Sequence, residues 1–172
     1  MALTLEDGTG IANADSYVAS ATIDTYAAGS PIGQWWLALA TQLLKDDCAR
    51  QAARYLDSVY ASPNRLTGRR QYPTQGLAWP RAYCFDRDSV PVNQNYIPPP
   101  WVTAQIELAL RAAQYGSTLT PDLTRIGGFA RREQVGSVSI EFMPGAPAQR
   151  QYPYVEQVLA PILQPASVLM RG

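Results

Sequence analysis

At 172 residues, 47% of them hydrophobic and 16% charged, the chain has the size and composition of one domain whose core needs neither disulfide nor metal. Fourteen basic residues balance fourteen acidic ones, which argues against a whole-protein attraction to nucleic acid or to an anionic membrane. Histidine is absent, and with it the commonest general base, the usual catalytic triads and most catalytic zinc sites. The balanced total hides an asymmetry. Residues 1–60 carry three bases against seven acids, a net −4, and residues 61–172 carry eleven arginines against seven acids, a net +4. Such halves can be matched inside one fold, between subunits, or at a phosphate backbone. Cys48 and Cys84 define neither a metal site nor a disulfide framework and read as free thiols in a reducing compartment. The opening MALTLEDGTG has no basic start or apolar run, and no window reaches a membrane span, so a product made in the cytoplasm, with no membrane partner, is expected.

Along the chain, Asn13 and Asp15 are cap-type residues before an apolar-periodic stretch ended by Gly29 and Pro31, which predicts a first helix at about 15–28. From Gln34 to Tyr60, Trp36, Leu39, Leu43, Leu44, Cys48, Ala52, Tyr55, Leu56 and Val59 recur at three- and four-residue steps. This predicts one long central helix, with Asp46, Asp47, Arg50 and Asp57 on its solvent face and an Asp46–Arg50 pair. Prolines and glycines then punctuate residues 61–100, while Tyr72, Trp79, Tyr83, Phe85 and Tyr96 argue against disorder, so a long ordered loop is expected. Pro100 suits the first turn of a third helix that runs to about Tyr115 and stops at Gly116. Val138, Ile140 and Phe142 alternate with polar residues as a strand whose partner is either Leu3–Leu5 or a neighbouring copy. A last short helix opens at Pro153 and closes before Pro165, leaving an apolar tail with Val168, Leu169 and Met170.

The expected fold is therefore mainly α: a small helical bundle with long ordered loops, one short β-strand or hairpin, and an extended C-terminal arm. It forms a single domain over 1–172, with a helical core at 1–118 containing the loop 61–100, a loop and strand at 119–150, and a short helix and arm at 151–172.

No residue constellation points to catalysis, a cofactor or a metal, and no enzyme is expected. Asp46–Asp47 and Asp86–Asp88 read as solvated surface pairs, and Gly8-Thr9-Gly10 lacks the lysine and preceding strand of a phosphate loop and reads as a turn. Arg65, Arg69, Arg70, Arg81 and Arg87, interleaved with Tyr72, Trp79 and Tyr83, have the composition that holds single-stranded nucleic acid by charge and stacking. The same composition serves protein interfaces, and guanidinium forks also tie long loops down through backbone carbonyls.

Three segments carry a resemblance: EDGTGIANADSYV at 6–18, the stretch ending in Tyr55-Leu56-Asp57, and LTGRRQYPTQGLAWPRAY at 66–83. Together with the strand near 135–142 and the terminal pattern from Pro153 to Leu163, they resemble a family of tailed-bacteriophage proteins often labelled DnaT-like single-stranded-DNA-binding proteins. The layout also resembles head–tail connectors, or adaptors. That likeness implies a structural virion protein, one subunit of a ring of about twelve copies in the neck between capsid and tail, assembled in the host cytoplasm. Its partners would be further copies of itself, the portal protein, a stopper or tail protein, and double-stranded DNA passing through the channel without sequence recognition. Single-stranded-DNA binding is the alternative that the family label implies. By the same resemblance Tyr55, Leu56 and Asp57 anchor the end of the central helix, and Gly68, Arg69, Gln75, Leu77, Trp79, Pro80 and Arg81 fix the following loop. Candidate interface or loop-anchoring residues are Arg69, Trp79, Pro80, Arg81, Val138, Ile140, Phe142, Val168, Leu169 and Met170.

Overall fold

The computed structural model describes residues 2–61, 65–116, 119–120, 132–135, 138–141 and 151–164, with the backbone alone for 132–135 and 138–141. The described residues are mainly helical: α1 (Ser20–Ala27), α2 (Gly33–Leu37), α3 (Gln42–Tyr60), α4 (Pro99–Gln114) and α5 (Pro153–Leu159). Two small antiparallel hairpins accompany them, β1 (Arg69–Arg70) with β2 (Arg81–Ala82), and β3 (Arg132–Val135) with β4 (Val138–Glu141).

Helix α4 is the hub, packing against α1, α2, α3 and α5. Its sequence explains this, because Trp101, Ala104, Ile106, Leu108, Ala109, Leu110 and Ala112 are buried on nearly every side, together with the polar Gln105 and Glu107, and a helix so largely apolar belongs in a core. Helix α3 meets it with Cys48, Ala49, Ala52, Ala53 and Leu56, all inaccessible to solvent. Small side chains at this spacing favour close packing of the two helices. Pro99 opens α4, and Gly116, at φ +70°, ends it in a conformation that side-chain-bearing residues resist. Cys48 and Cys84 are both buried.

Three helix boundaries depart from the periodicity. The first helix starts at Ser20 behind an uncapped Ala19. Asp15 is instead used for tertiary bonding: its carboxylate accepts from the Thr4 amide at 2.8 Å and pairs with Arg50 at 2.6 Å. Its neighbour Ser16 forms a parallel bridge to Leu5. The expected long helix is two. Trp36 is fully buried and donates to Asp24 at 2.6 Å, Gly33 lies so close to the Ala27 carbonyl that no side chain fits, and Thr41 caps a fresh start at Gln42. The break turns Leu43 and Leu44 out of the core stripe, and both are exposed, as is Val59. Asp46 is correspondingly buried, accepting from Ser20 and Gln42, and Arg50 pairs with Asp47 and Asp15 rather than Asp46.

The strand expected near 135–142 is β4, and its partner is β3 rather than Leu3–Leu5 or a neighbouring copy. Val138 stands opposite Val135 and Ile140 opposite Glu133 in that ladder. Phe142 and the tail residues Val168, Leu169 and Met170 lie outside the described residues. The β3–β4 hairpin belongs to a separate compact unit, residues 120–152, while 1–119 and 153–172 form the helical unit.

Candidate nucleic-acid interface

The segment 65–98 has little regular structure, yet it is pinned to the helices by side-chain bonds. The Asp57 carboxylate, at the end of α3, accepts from the Tyr17 hydroxyl at 2.7 Å and from the Ala78 amide at 2.8 Å. The same hydroxyl accepts from the Ala78 amide at 2.9 Å. One residue from each of the three distinctive sequence segments therefore meets in a single buried hub. Burial drives Asp57 up to about 6, against the pull of the Tyr17 and Ala78 bonds and the fields of Arg70 and Arg81. Tyr17 is raised well above the ordinary tyrosine value, first by burial and then by the neighbouring Asp57 charge. Below the hub, Gln105 on α4 is fully buried; it accepts from the Tyr17 amide and donates to Ser16 and the Ala49 carbonyl. Gln75 organises the loop itself, accepting from the Tyr72 amide and donating to the carbonyls of Leu77 and Pro80.

The N-terminal turn is built the same way. Buried Glu6 accepts from the amides of Gly8, Gly10 and Ile11, between 2.8 and 2.9 Å, so its carboxylate closes the turn that Gly8-Thr9-Gly10 makes. Gly10, at φ +80°, lies flat against the Tyr72 ring, and Gly8, at φ +102°, against the Asn95 carbonyl. Gln71 donates to Asn95 across the same surface.

Within the hairpin, the candidate residues divide. Trp79 and Pro80 are fully buried, with Trp79 edge-on to Trp101 at 6.0 Å, and a cis bond joins the pair. Arg81 is buried too. It donates to the carbonyls of Thr67 and Gly68, at 3.1 and 2.9 Å, and burial lowers its pKa. These three residues anchor the loop and present nothing to a ligand. Arg69 and Arg70, paired with Ala82 and Arg81 across the hairpin, are exposed, and no carboxylate of the described residues lies within ion-pair distance of either. The Arg69 guanidinium lies 5.6 Å from the Tyr83 ring, and Tyr83 is 65% exposed. Tyr72, Phe85 and Tyr96 are exposed aromatics of the same segment, and the Arg87 side chain is exposed. Arg65 is committed, stacked on Tyr60 and 3.8 Å from Glu156.

The composition of this loop was readable, but which arginine points outward was not. Of the residues that position the face, Gln75 stands in the motif expected to fix the loop, whereas Glu6, Tyr17 and Gln105 carry no local signal that marks them as buried polar groups. Asp86 is not merely a surface charge, since it accepts from the Asp88 and Val90 amides in a turn where Ser89 has φ +65°. Among the described residues, no three Cys, Asp or Glu side chains gather where a metal could sit, and no helix is long and apolar enough to cross a membrane.

No curated protein and no solved structure matches the chain. A family model does, over residues 1–172, and its description reads "Putative DnaT-like ssDNA binding protein". Full-length coverage by that model places the protein: the chain belongs to the DnaT-like ssDNA-binding protein family.

Proposed function

We propose that the chain is a non-catalytic, single-stranded-DNA-binding protein whose contact surface is the exposed strand β1 of the β1–β2 hairpin, with Arg69 and Arg70, and the loop around it. The observation that carries this reading is the division of the loop's arginines. Arg81 is spent on backbone carbonyls inside, while Arg69 and Arg70 stand outside without acidic partners among the described residues, beside a largely exposed Tyr83. Phosphates are met by free guanidinium groups and bases by open aromatic faces, the combination that holds a single strand without reading its sequence. Tyr72 and Tyr96 extend the aromatic surface toward the glycine turn. The rigid hub of Tyr17, Asp57 and Ala78 keeps this surface preorganised, so less ordering entropy opposes binding. Fluorescence anisotropy with a labelled single-stranded oligonucleotide tests the proposal. Arg69→Ala and Tyr83→Ala should each weaken binding without lowering the melting temperature; unchanged affinity in both would refute it.

A second reading, a ring-forming connector subunit on a portal, is favoured by one specific feature. Trp35, Leu37, Leu43 and Leu44, on α2 and the start of α3, are 40–54% exposed, a concentration of large apolar side chains that a self-assembling surface would cover. Native mass spectrometry of the protein with a portal ring tests it. A stoichiometric ring supports assembly, and loss of the ring in Leu43→Glu with folding intact assigns the surface.

A further inference from the structure

The turn between α1 and α2, helix α4 and the start of α5 border an open cleft of about 590 Å³, lined among others by Tyr26, Ser30, Ile32, Glu107, Arg111 and Tyr154. Its size falls among small-ligand pockets. Its floor is a buried ion pair. Glu107 is 5% exposed, accepts from the Tyr26 hydroxyl at 2.6 Å, and is paired with Arg111 one helical turn on. Arg111 spends only Nη1 on Glu107, on the carboxylate and on the backbone carbonyl. Its Nε and Nη2 have no acceptor among the described residues, although the side chain keeps 18% of its surface open. The Ser30 hydroxyl likewise has no partner among them. The walls are flat and apolar: the rings of Tyr26 and Tyr154, the second of them 48% exposed and 5.7 Å from the Arg111 guanidinium, with Pro31 and Ile32 beside them.

We propose that this cleft is a binding site for a single nucleobase, and that it prefers guanine. The Glu107–Arg111 pair is neutral as a unit, so the floor attracts neither a phosphate nor an ammonium group by charge and selects instead a neutral ligand with many polar edges. The free side of the guanidinium presents a fork of N–H donors, and guanine alone among the bases offers two adjacent acceptors, O6 and N7, at that spacing. Adenine offers one acceptor beside a donor there. The carboxylate oxygens of Glu107 keep spare lone pairs for a base N–H. Tyr26 and Tyr154 supply π surface for stacking, the contact by which single-strand binders hold bases whatever their sequence. The inference rests on the cleft alone and not on the hairpin face.

Titration of the full chain with dGMP, dAMP, dCMP and TMP, followed by isothermal calorimetry and by tyrosine fluorescence, tests the site. Saturable dGMP binding is expected with a dissociation constant at or below about 1 mM, roughly tenfold or more tighter than for dCMP or TMP, as one good bidentate pair implies. Tyr154→Ala, at a half-exposed position, should weaken dGMP binding about fivefold or more with an unchanged melt, as loss of a stacking face implies. Arg111→Met should abolish the preference for guanine, and if that variant does not fold the Tyr154→Ala result decides alone. Tyr83→Ala should leave dGMP binding intact while weakening oligonucleotide binding, which separates this site from the hairpin. The proposal is overturned if no mononucleotide binds saturably, if all four bind alike, or if Tyr154→Ala binds dGMP as the parent does.

Discussion

Replacing Asp57 by asparagine removes a titrating group from the hub without changing its size. In the folded protein burial holds Asp57 up to about 6, against an ordinary aspartate value of 3.8. The unfolded chain releases this proton near 3.8, and the folded chain keeps it until about 6. Between those two values the unfolded state is the one that ionises, so a rise in pH favours unfolding. Stability contributed by this group is complete below the unfolded value, is lost as pH rises through the folded one, and amounts to about 3 kcal/mol in all. Asparagine has no such dependence. Urea unfolding of the parent and Asp57→Asn from pH 3.5 to 7.5 isolates the term, because other carboxylates titrate alike in both and cancel in the difference. Relative to the parent, Asp57→Asn should gain about 2.4 kcal/mol between pH 4 and pH 7. A difference that stays constant over that range would refute the reading of Asp57 as a carboxylate ionised against its burial.

Other perturbations probe other parts of the account. Trp79→Ala should cost about 3–5 kcal/mol, the range for truncating a fully buried aromatic, and thermal melting measures it; an unchanged melt would contradict its place beside Trp101. Glu6→Gln keeps the shape of the N-terminal turn but loses the charge that receives three amides, and should cost about 1–3 kcal/mol in the same assay. Arg81→Ala strips two carbonyls of their donor and should lower stability by about 1–3 kcal/mol, whereas Arg70→Ala on the paired strand should leave it within about 0.5 kcal/mol. Equal effects of these two arginine variants would sink the division between an anchoring and a contacting side of the hairpin.

Much of the helical skeleton was legible because its signals are local. Pro99-Pro100 and Gly116 bracket α4 by backbone chemistry, and Pro153 does the same for the start of α5. The break between α2 and α3 was not legible, since Ala38, Leu39 and Ala40 are good helix formers and the interruption is imposed by the burial of Trp36 and the Thr41 cap. Asp15 misled for a related reason. A short polar side chain ahead of a helix is a cap candidate, but here Thr4 and Arg50 hold it, 11 and 35 residues away. Arg132–Val135 has no apolar alternation that would mark it as the partner of β4. At the candidate site, composition pointed to the loop, but burial rather than strand register separates exposed Arg69 and Arg70 from buried Arg81, which stands directly opposite Arg70. The neutral Glu107–Arg111 pair stood at i,i+4 spacing on α4, and nothing local marks such a pair as the floor of a cleft rather than a surface salt bridge.

On the proposed reading, exposed Arg69 and Arg70 of the β1–β2 hairpin hold single-stranded DNA. The salt dependence of oligo(dT) affinity, measured for the parent and for Arg69→Ala/Arg70→Ala, tests it most directly. Each phosphate contact on a single strand contributes about −0.7 to the slope of log affinity against log salt. The double variant should therefore bind more weakly at every salt concentration and with a slope shallower by about 1.4. A variant with the parent's slope and affinity, or a parent that does not bind oligo(dT) at low salt, would contradict the account.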